Sequence, residues 1–247
     1  MSAEKTDALV LRLTDFSETS RVVSLFTRDF GRISALAKGA RRLKGPFEAA
    51  LDLLAECRIV FLRKSSASLD LLTEAQLITR FRPSGRGLVG LYGGYYVAEL
   101  LSGLTEEYDP HPALYDAARS TLHRLAKEEE PKLSVLRFEL AILREIGQLP
   151  ALDACLACGR VPEAGGSFAH WVSHGGLICR DCSRDEYDQQ RIAAGTVAAL
   201  RTLSSTDEGL AERLAVSAGQ LEEMQRFTLA AVSHVLGRRP KMHRYLK

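Results

Sequence analysis

Four cysteines in the C-terminal half of the chain carry the strongest chemical signal in the sequence. Cys155 and Cys158 form one C-x-x-C knuckle, and Cys179 and Cys182 form a second one after twenty intervening residues. Two thiolates three residues apart can face one ion from a tight turn, and two such turns complete a tetrahedral Zn²⁺ site. Because four sulfur ligands leave no position open to water or substrate, we expect a structural zinc ion rather than a catalytic one.

Two other uses of these cysteines are less consistent with their surroundings. Two disulfides are an alternative, but the first residues contain no apolar secretory segment, so we expect a cytoplasmic protein with reduced thiols. A redox dithiol usually has one C-x-x-C beside a βαβ pattern, which is not evident here. His170 and His174 lie between the knuckles and could replace a cysteine ligand, although four cysteines already complete the set.

Positive charge is concentrated in two segments, although the net charge of the chain is only +2. Residues 28–44 contain six cations and one acid, and residues 237–247 contain five cations and no acid. Such clusters on a nearly neutral chain indicate a face that binds a polyanion, with a solvated surface as the alternative. We expect phosphate contacts from six side chains: Arg21, Arg28, Lys38, Arg41, Arg42 and Lys44.

The centre of the first cluster is a loop at residues 37–46, which combines four cations with two glycines and a proline. A loop of this kind lets side chains and backbone N–H groups reach phosphates. The region has five phenylalanines, of which Phe26 and Phe61 lie in predicted strands and are expected to pack in a core. We therefore expect no strong base-stacking platform, and binding through phosphates that is independent of sequence and sensitive to salt.

The elements that must position these residues form a β part followed by a helical part. Short apolar, alternating runs separated by turn residues predict five strands, at residues 9–13, 21–27, 32–37, 55–62 and 68–73. Five strands in this length favour a small OB-type barrel, although a five-stranded SH3-like barrel would have a similar pattern. Helical spacing of apolar residues predicts five helices, at residues 88–104, 114–127, 133–146, 193–203 and 215–236.

The sequence therefore predicts an α+β multidomain protein. We expect an OB-fold nucleic-acid-binding domain at residues 1–80 and an all-α domain in two parts, at residues 81–150 and 191–247. A zinc module at residues 151–190 is inserted between these two parts, and the second part ends in a basic tail. No phosphate-binding P-loop, dinucleotide fingerprint or nucleophile elbow is present, and the histidines form no recognisable motif. We expect a binding protein rather than an enzyme.

This order of parts resembles the RecO family of bacterial recombinational-repair mediators along nearly the whole chain. The similarity is carried by the two knuckles and by residues 8–13 (ALVLRL), 18–21 (ETSR), 25–27 (LFT), 34–42 (SALAKGARR), 143–147 (LREIG) and 175–179 (GGLIC). Two segments depart from the family pattern. Residues 15–18 (DFSE) stand where the family more often has an aromatic followed by Gly-Glu, and residues 238–242 (RRPKM) replace its usual lysine-serine ending.

The resemblance implies an N-terminal OB-fold and a helical domain with a zinc module. It also implies binding to single- and double-stranded DNA (ssDNA and dsDNA), annealing of complementary strands and no ATPase activity. The implied partners are the C-terminal tail of the single-stranded-DNA-binding protein (SSB) and RecR, with which the family helps to load RecA onto coated DNA; a role for RecF is left open. We expect the SSB tail to occupy a helical groove near Tyr92, Tyr95, Tyr96 and Leu101.

Two other classes of function remain open at this point. A scaffold that binds SSB and RecR with little DNA contact would fit the helices and the low net charge. A nuclease that uses the metal is the second alternative, and ligation by four sulfurs argues against it.

Overall fold

The computed structural model describes residues 2–42, 47, 50–64, 69–83, 88–163, 165–184, 191–205, 209 and 213–246. The chain divides into two compact units, one formed by Met1–Ser134 with Lys241–Lys247 and the other by Val135–Pro240. Among the described residues, no helix combines the length and apolar character that a membrane crossing requires.

The first unit contains a closed five-stranded barrel of the predicted OB type. Its strands are β1 (Ser2–Asp15), β2 (Arg21–Thr27), β3 (Gly31–Ala37), β4 (Glu56–Arg63) and β5 (Asp70–Thr79). They close in the order β1-β2-β3-β5-β4, with β3 and β5 parallel and the other pairs antiparallel. The alternation in the sequence located all five strands, and the structure extends β1 and β5 beyond their predicted ends.

Side chains that alternate along the strands fill the barrel. Leu25, Ile33, Ile59 and Phe61 are among the residues with no exposed surface, as expected for the inward face of a period-two pattern. Cys57 shares this core, where burial raises the pKa of its thiol to about 12 and the Sγ donates a hydrogen bond to the Ala50 carbonyl at 2.9 Å. It acts as a small apolar residue, which is the usual role of a lone buried cysteine.

The turn between β2 and β3 lies against the segment that follows the first helix. Tyr108 N–H donates to the Arg32 carbonyl at 3.0 Å, so this segment runs beside the start of β3. Gly31 has φ +66°, and a Cβ at this position would lie 2.1 Å from the carbonyl oxygen of Asp109. The close approach of the two backbones therefore requires glycine.

Five α-helices lie close to their predicted positions: α1 (Val89–Leu104), α2 (Pro112–Ala126), α3 (Pro131–Glu145), α4 (Ala194–Ser204) and α5 (Ala218–Leu236). Two short 3-10 helices are formed by Val172–His174 and Met242–Tyr245. Proline begins α2 and α3, where its missing N–H costs no hydrogen bond. Ser217 and Gln220 form a reciprocal capping box at the start of α5. Gly90 brings α1 close to the end of α2, because a Cβ there would lie 2.7 Å from the Leu125 carbonyl oxygen.

The second unit contains a small sheet that the sequence pattern did not predict. Its strands are β6 (Ala151–Cys155), β7 (Ser167–Trp171), β8 (Gly176–Cys179) and β9 (Arg191–Ala193), in the order β6-β8-β7-β9. The segment predicted as a zinc module between helices is therefore built on β structure, with two of the four cysteines at the ends of β6 and β8.

Candidate metal centre and nucleic-acid interface

The structure brings the four predicted ligands together. The Sγ atoms of Cys155, Cys158, Cys179 and Cys182 all lie within 4.8 Å of one another, and those of Cys158 and Cys179 are 3.7 Å apart. A tetrahedral site with Zn–S bonds of about 2.3 Å places its sulfurs roughly 3.8 Å apart. The spacing and the all-sulfur donor set therefore fit one zinc ion.

The backbone around the cysteines fixes this arrangement. β6 and β8 are parallel neighbours with Cys155 opposite Leu177, and the N–H of Leu156 donates to the Leu177 carbonyl at 2.8 Å. The first knuckle turns back so that Gly159 N–H reaches the Cys155 carbonyl at 2.9 Å. In the second knuckle, the N–H of Cys182 donates to the carbonyl three residues earlier at 3.2 Å. Two tight turns at the ends of adjacent strands thus point their sulfurs at one place.

The pKa values of the thiols show why this cluster suits a cation. Burial opposes ionisation of Cys155, but hydrogen bonds from the backbone N–H groups of Cys179, Cys158 and Ala157 outweigh it and lower its pKa to about 6. Hydrogen bonds with the neighbouring sulfurs of Cys158 and Cys179, together with burial, raise the pKa of Cys182 to about 12. Four adjacent thiolates repel one another, so a bound cation is needed for all four to be ionised.

The two histidines between the knuckles do not join the cysteines. His170 is buried and stacks on Phe227 with 3.8 Å between ring centroids, and both of its ring nitrogens lack a hydrogen-bond partner in the described structure. Burial, with a contribution from His234, lowers the pKa of His170 to about 4, so its ring is neutral. His174 lies against Trp171 at 3.7 Å. Both histidines line a cavity of about 240 Å³ in the second unit.

The predicted DNA-binding cations of residues 28–44 divide between the two ends of the barrel strands. β2 and β3 are antiparallel, with Arg21 opposite Ala37 at one end and Thr27 opposite Gly31 at the other. Six residues of extended chain span about 20 Å, so Arg28 and Lys38 lie far apart. A cluster that is continuous in sequence is therefore two clusters in space.

At the end that carries Arg28, carboxylates neutralise the cations. The guanidinium of Arg28 donates to both carboxylate oxygens of Asp116 at 2.9 and 3.4 Å, and this pairing raises the pKa of Arg28. Arg32 donates to the Thr105 carbonyl at 3.2 Å and approaches Glu107 at 3.5 Å. Arg28 is thus engaged in a bidentate pair, and its expected contact with phosphate stays a prediction.

At the other end, Asp15 lies between two of the predicted cations. Its carboxylate accepts from Arg21 at 3.0 Å and approaches Arg41 at 3.6 Å. Lys38 and Arg42 are exposed and form no ion pair within the described parts of the chain. Lys44, the sixth predicted contact, falls outside the described residues.

Sequence reasoning did not select Phe16 as a site residue. This side chain is 63% exposed in the turn between β1 and β2, at the same end of the barrel as Lys38. Its position in the sequence could have indicated this exposure. Phe16 lies in the turn sequence DFSE and not in a strand, so it has no place on the inward face of the barrel.

The four residues of the predicted partner groove on α1 differ in exposure. Tyr96 and Leu101 are completely buried, and Tyr92 and Tyr95 are half-buried. Tyr96 and Leu101 therefore present no surface to a partner, whereas Tyr92 and Tyr95 keep part of theirs, so a partner contact on this helix stays a prediction for those two residues alone. The apolar, glycine-containing pattern of α1 reflects packing within its own unit.

The chain's own C-terminal segment (residues 241–246) packs on the same helix. The carboxylate of Glu99 accepts hydrogen bonds from the backbone N–H groups of Lys241 and Met242 at 2.8 and 2.9 Å. Tyr245 stacks on Tyr92 with 4.8 Å between ring centroids. Residues 241–246 of the basic tail are therefore a folded part of the first unit.

The first unit also has an open cavity of about 380 Å³ beside the barrel. Leu9, Leu54 and Leu122 contribute its apolar wall, and Arg119 lies at its edge, 56% exposed and 3.8 Å from Glu56. Burial raises the pKa of Glu56, whereas Arg119 opposes that shift. The cavity thus combines apolar walls with an ion pair whose arginine is exposed.

Fold and site together define a class: an OB-barrel protein with a helical part that carries a cluster of four cysteines able to hold a metal ion. Comparison with known proteins then identifies the family. The sequence model described as "Recombination protein O N terminal" matches residues 1–81, and the one described as "Recombination protein O C terminal" matches residues 86–244.

Individual relatives agree with this assignment. The chain is 44% identical to the DNA repair protein RecO of Rhodopirellula baltica over 202 aligned residues. This alignment covers 81% of this chain and 75% of that protein. It is 34% identical over 254 residues to the DNA repair protein RecO of Anaeromyxobacter dehalogenans, covering 100% and 96% of the two chains. The RecO protein of Myxococcus xanthus is 33% identical over 199 residues, or 80% of each chain. The chain belongs to the RecO family, which confirms the resemblance and supports a role in DNA repair and recombination.

Proposed function

We propose that this protein is a recombinational-repair mediator that binds ssDNA and dsDNA without sequence preference and anneals complementary strands. With RecR, it would help to load RecA onto SSB-coated ssDNA. The observation that carries the proposal is the set of cations at one end of the OB barrel, where Lys38 and Arg42 are exposed and Arg21 and Arg41 share one carboxylate. Loops at this end of an OB fold are a common site for oligonucleotides.

The chemistry of this surface explains annealing without catalysis. Lysine and arginine side chains contact phosphates and displace counterions, and these contacts carry no sequence information. A strand held by its phosphates keeps its base edges free to pair with a second strand. Neutralised phosphates also lower the repulsion between the two strands, so no bond has to be made or broken by the protein.

The four cysteines would hold one zinc ion in a structural role. When bound, zinc stabilises the folded state, because the ion holds together thiolates that otherwise repel one another. β6 and β8 supply the two knuckles, so we expect metal binding to stabilise the small sheet of the second unit. The four-sulfur set offers no position for a substrate, which supports a protein without metal-dependent catalysis.

We place the SSB tail at the 380 Å³ cavity of the first unit rather than on α1. Apolar walls suit the apolar residues of such a tail, and Arg119 suits its acidic groups. Charge reversal by Arg119→Glu should weaken binding of a fluorescent acidic–apolar tail peptide, whereas Lys132→Glu, an exposed lysine elsewhere in the unit, should not. Equal peptide affinity for the two variants would exclude this location.

Annealing of complementary oligonucleotides, with and without SSB, tests the proposal as a whole. Protein with one zinc per chain should accelerate annealing of bare strands and of SSB-coated strands. A scaffold would bind SSB yet leave both the annealing rate and the anisotropy of a labelled oligonucleotide unchanged. A nuclease would shorten the strands in the presence of zinc and magnesium. Either result would refute the proposed function.

A role for zinc is tested separately with Cys158→Ser. We expect this variant to lose bound zinc, as measured by metal analysis, and to unfold at lower temperature. A variant that retains one zinc per chain and the parent's melting temperature would contradict the four-cysteine site.

A further inference from the structure

An exposed aromatic ring lies beside the unpaired cations of the barrel. Phe16 has the largest exposed fraction, 63%, of the large apolar side chains in the described residues, and it stacks on no other aromatic ring there. A single exposed apolar residue needs no functional explanation by itself. Its surroundings therefore decide whether this ring has a ligand.

The sheet register places Phe16 close to the phosphate-binding residues. Asp15 on β1 lies opposite Arg21 on β2, which lies opposite Ala37 on β3. Neighbouring strands are about 4.8 Å apart, so the ends of β1 and β3 are separated by roughly 10 Å. Phe16 is the residue after Asp15, and Lys38 is the residue after Ala37. Ring and ammonium group thus extend from neighbouring positions at one end of the barrel.

The turn that carries Phe16 is held in place by hydrogen bonds. The N–H groups of Phe16 and Ser17 both donate to the Ser20 carbonyl, at 3.0 and 3.3 Å. Arg41 ties this turn to the basic loop, because its guanidinium donates to the Ser17 carbonyl at 2.9 Å and its N–H to the Thr19 carbonyl at 3.1 Å. A ring on a fixed turn loses little conformational freedom when a ligand stacks on it.

The charge around the ring favours a nucleic-acid strand. Among the described residues, the turn at 15–21 and the start of the basic loop at 38–42 carry four cations against two acids, Asp15 and Glu18, and Asp15 is already paired with two of the cations. Sites for single strands combine a cationic track for the backbone with aromatic rings on which bases stack. Phe16 and the neighbouring cations provide both parts.

We propose that Phe16 stacks on an unpaired base of a DNA strand whose phosphates contact Lys38 and Arg42. The inference rests on the proposed function and adds a preference to it. Bases in a duplex are already stacked on one another, so only a single strand can offer a base to the ring. Phe16 therefore favours ssDNA over dsDNA, whereas the cations bind both.

Equilibrium binding of the full-length chain to three labelled probes tests this role. The probes are a thymidine oligonucleotide, an abasic oligonucleotide of the same length, and a duplex of that length. Phe16→Ala should weaken binding to the thymidine oligonucleotide by about tenfold, since stacking on one base is worth roughly five- to a hundredfold in affinity. Its affinity for the abasic strand and for the duplex should stay at the level of the parent protein.

Two further variants complete the design. Phe16→Trp should retain the preference for the thymidine strand, because indole also stacks on bases. Ile78→Ala, which removes an exposed apolar side chain from β5, should change none of the three affinities. The inference is overturned if Phe16→Ala leaves thymidine binding intact or weakens all three probes equally. If the parent protein binds none of the probes, the proposed function fails as well.

Discussion

Replacing Lys38 and Arg42 together by alanine should make ssDNA binding less sensitive to salt. Each phosphate contact to a single strand contributes about 0.7 to the slope of log K against log salt concentration, so two lost contacts lower the slope by about 1.4. A fourfold rise in salt would then weaken the double variant about sevenfold less than the parent protein. Arg28→Ala should leave the slope unchanged, because Asp116 already neutralises this guanidinium.

A matched pair of acid substitutions tests the same reasoning in the opposite direction. Asp15→Asn removes the carboxylate shared by Arg21 and Arg41 at the proposed binding end of the barrel, so DNA binding should become tighter and its salt slope steeper. Asp116→Asn makes the same change in charge at the other end of β2 and should have no effect on the slope.

Fluorescence anisotropy over a series of salt concentrations measures both quantities with one labelled oligonucleotide. Circular dichroism of each variant confirms that the barrel is folded. Equal slopes for the parent protein and the Lys38/Arg42 variant would refute the assignment of these two cations to phosphates. An Asp116→Asn variant that gains as much affinity as Asp15→Asn would show that net charge, and not position, determines binding.

Three further perturbations test the fold around these sites. Gly31→Ala places a Cβ 2.1 Å from a backbone oxygen at φ +66°, so the free energy of unfolding measured in urea should fall by more than about 2 kcal/mol. Gly237→Ala is the matched control, because Gly237 has a similar φ of +70° but no atom within 4 Å, and it should cost about 1 kcal/mol. Equal losses of stability in the two variants would contradict the close contact at Gly31. Glu99→Ala removes the acceptor of two backbone N–H groups and should raise hydrogen exchange in residues 241–246; unchanged exchange would show that the segment is held by other contacts. His170 has a pKa of about 4 in the folded chain and about 6.5 when unfolded, so the unfolded state binds the proton more readily. Stability should then fall by up to about 3 kcal/mol as pH drops from about 6.5 to 4, and His170→Phe should flatten this part of the profile of unfolding free energy against pH.

The barrel and the helices could be predicted because their signals are local. Alternation of apolar and polar residues along a strand, as in residues 31–37, is imposed by the period of the sheet and needs no knowledge of the partner strand. Helix ends were equally local, since Pro112 and Gly237 lie where a helix begins and ends. The four candidate metal ligands could be predicted because each C-x-x-C knuckle spans only four residues of the sequence. The boundaries expected at residues 80, 150 and 190 stay predictions.

Features that depend on distant residues could not be predicted in this way. The strands of the second sheet have three to five residues, too few for a period to be recognised, and their pairing follows from turns at the cysteines. The apolar face of α1 suggested a groove because nothing in the sequence indicates that residues 241–246 return to cover it. Arg28 and Asp116 are 88 positions apart, so a count of charges along the chain treats as free a cation that is paired in the fold.

In the proposed function, the distribution of paired and exposed cations among the described residues accounts for polyanion binding by a chain with a net charge of only +2. The arginines at the Arg28 end of the barrel are paired with carboxylates from the segment after α1 and from α2. These ion pairs stabilise the fold locally, and the paired charges contribute little electrostatic potential at the protein surface. At the opposite end, a single carboxylate is shared by two arginines, and Lys38 and Arg42 remain exposed. Because screening limits interactions between exposed charges to about 8–10 Å at physiological salt, a phosphate responds to this local excess and not to the net charge of the chain.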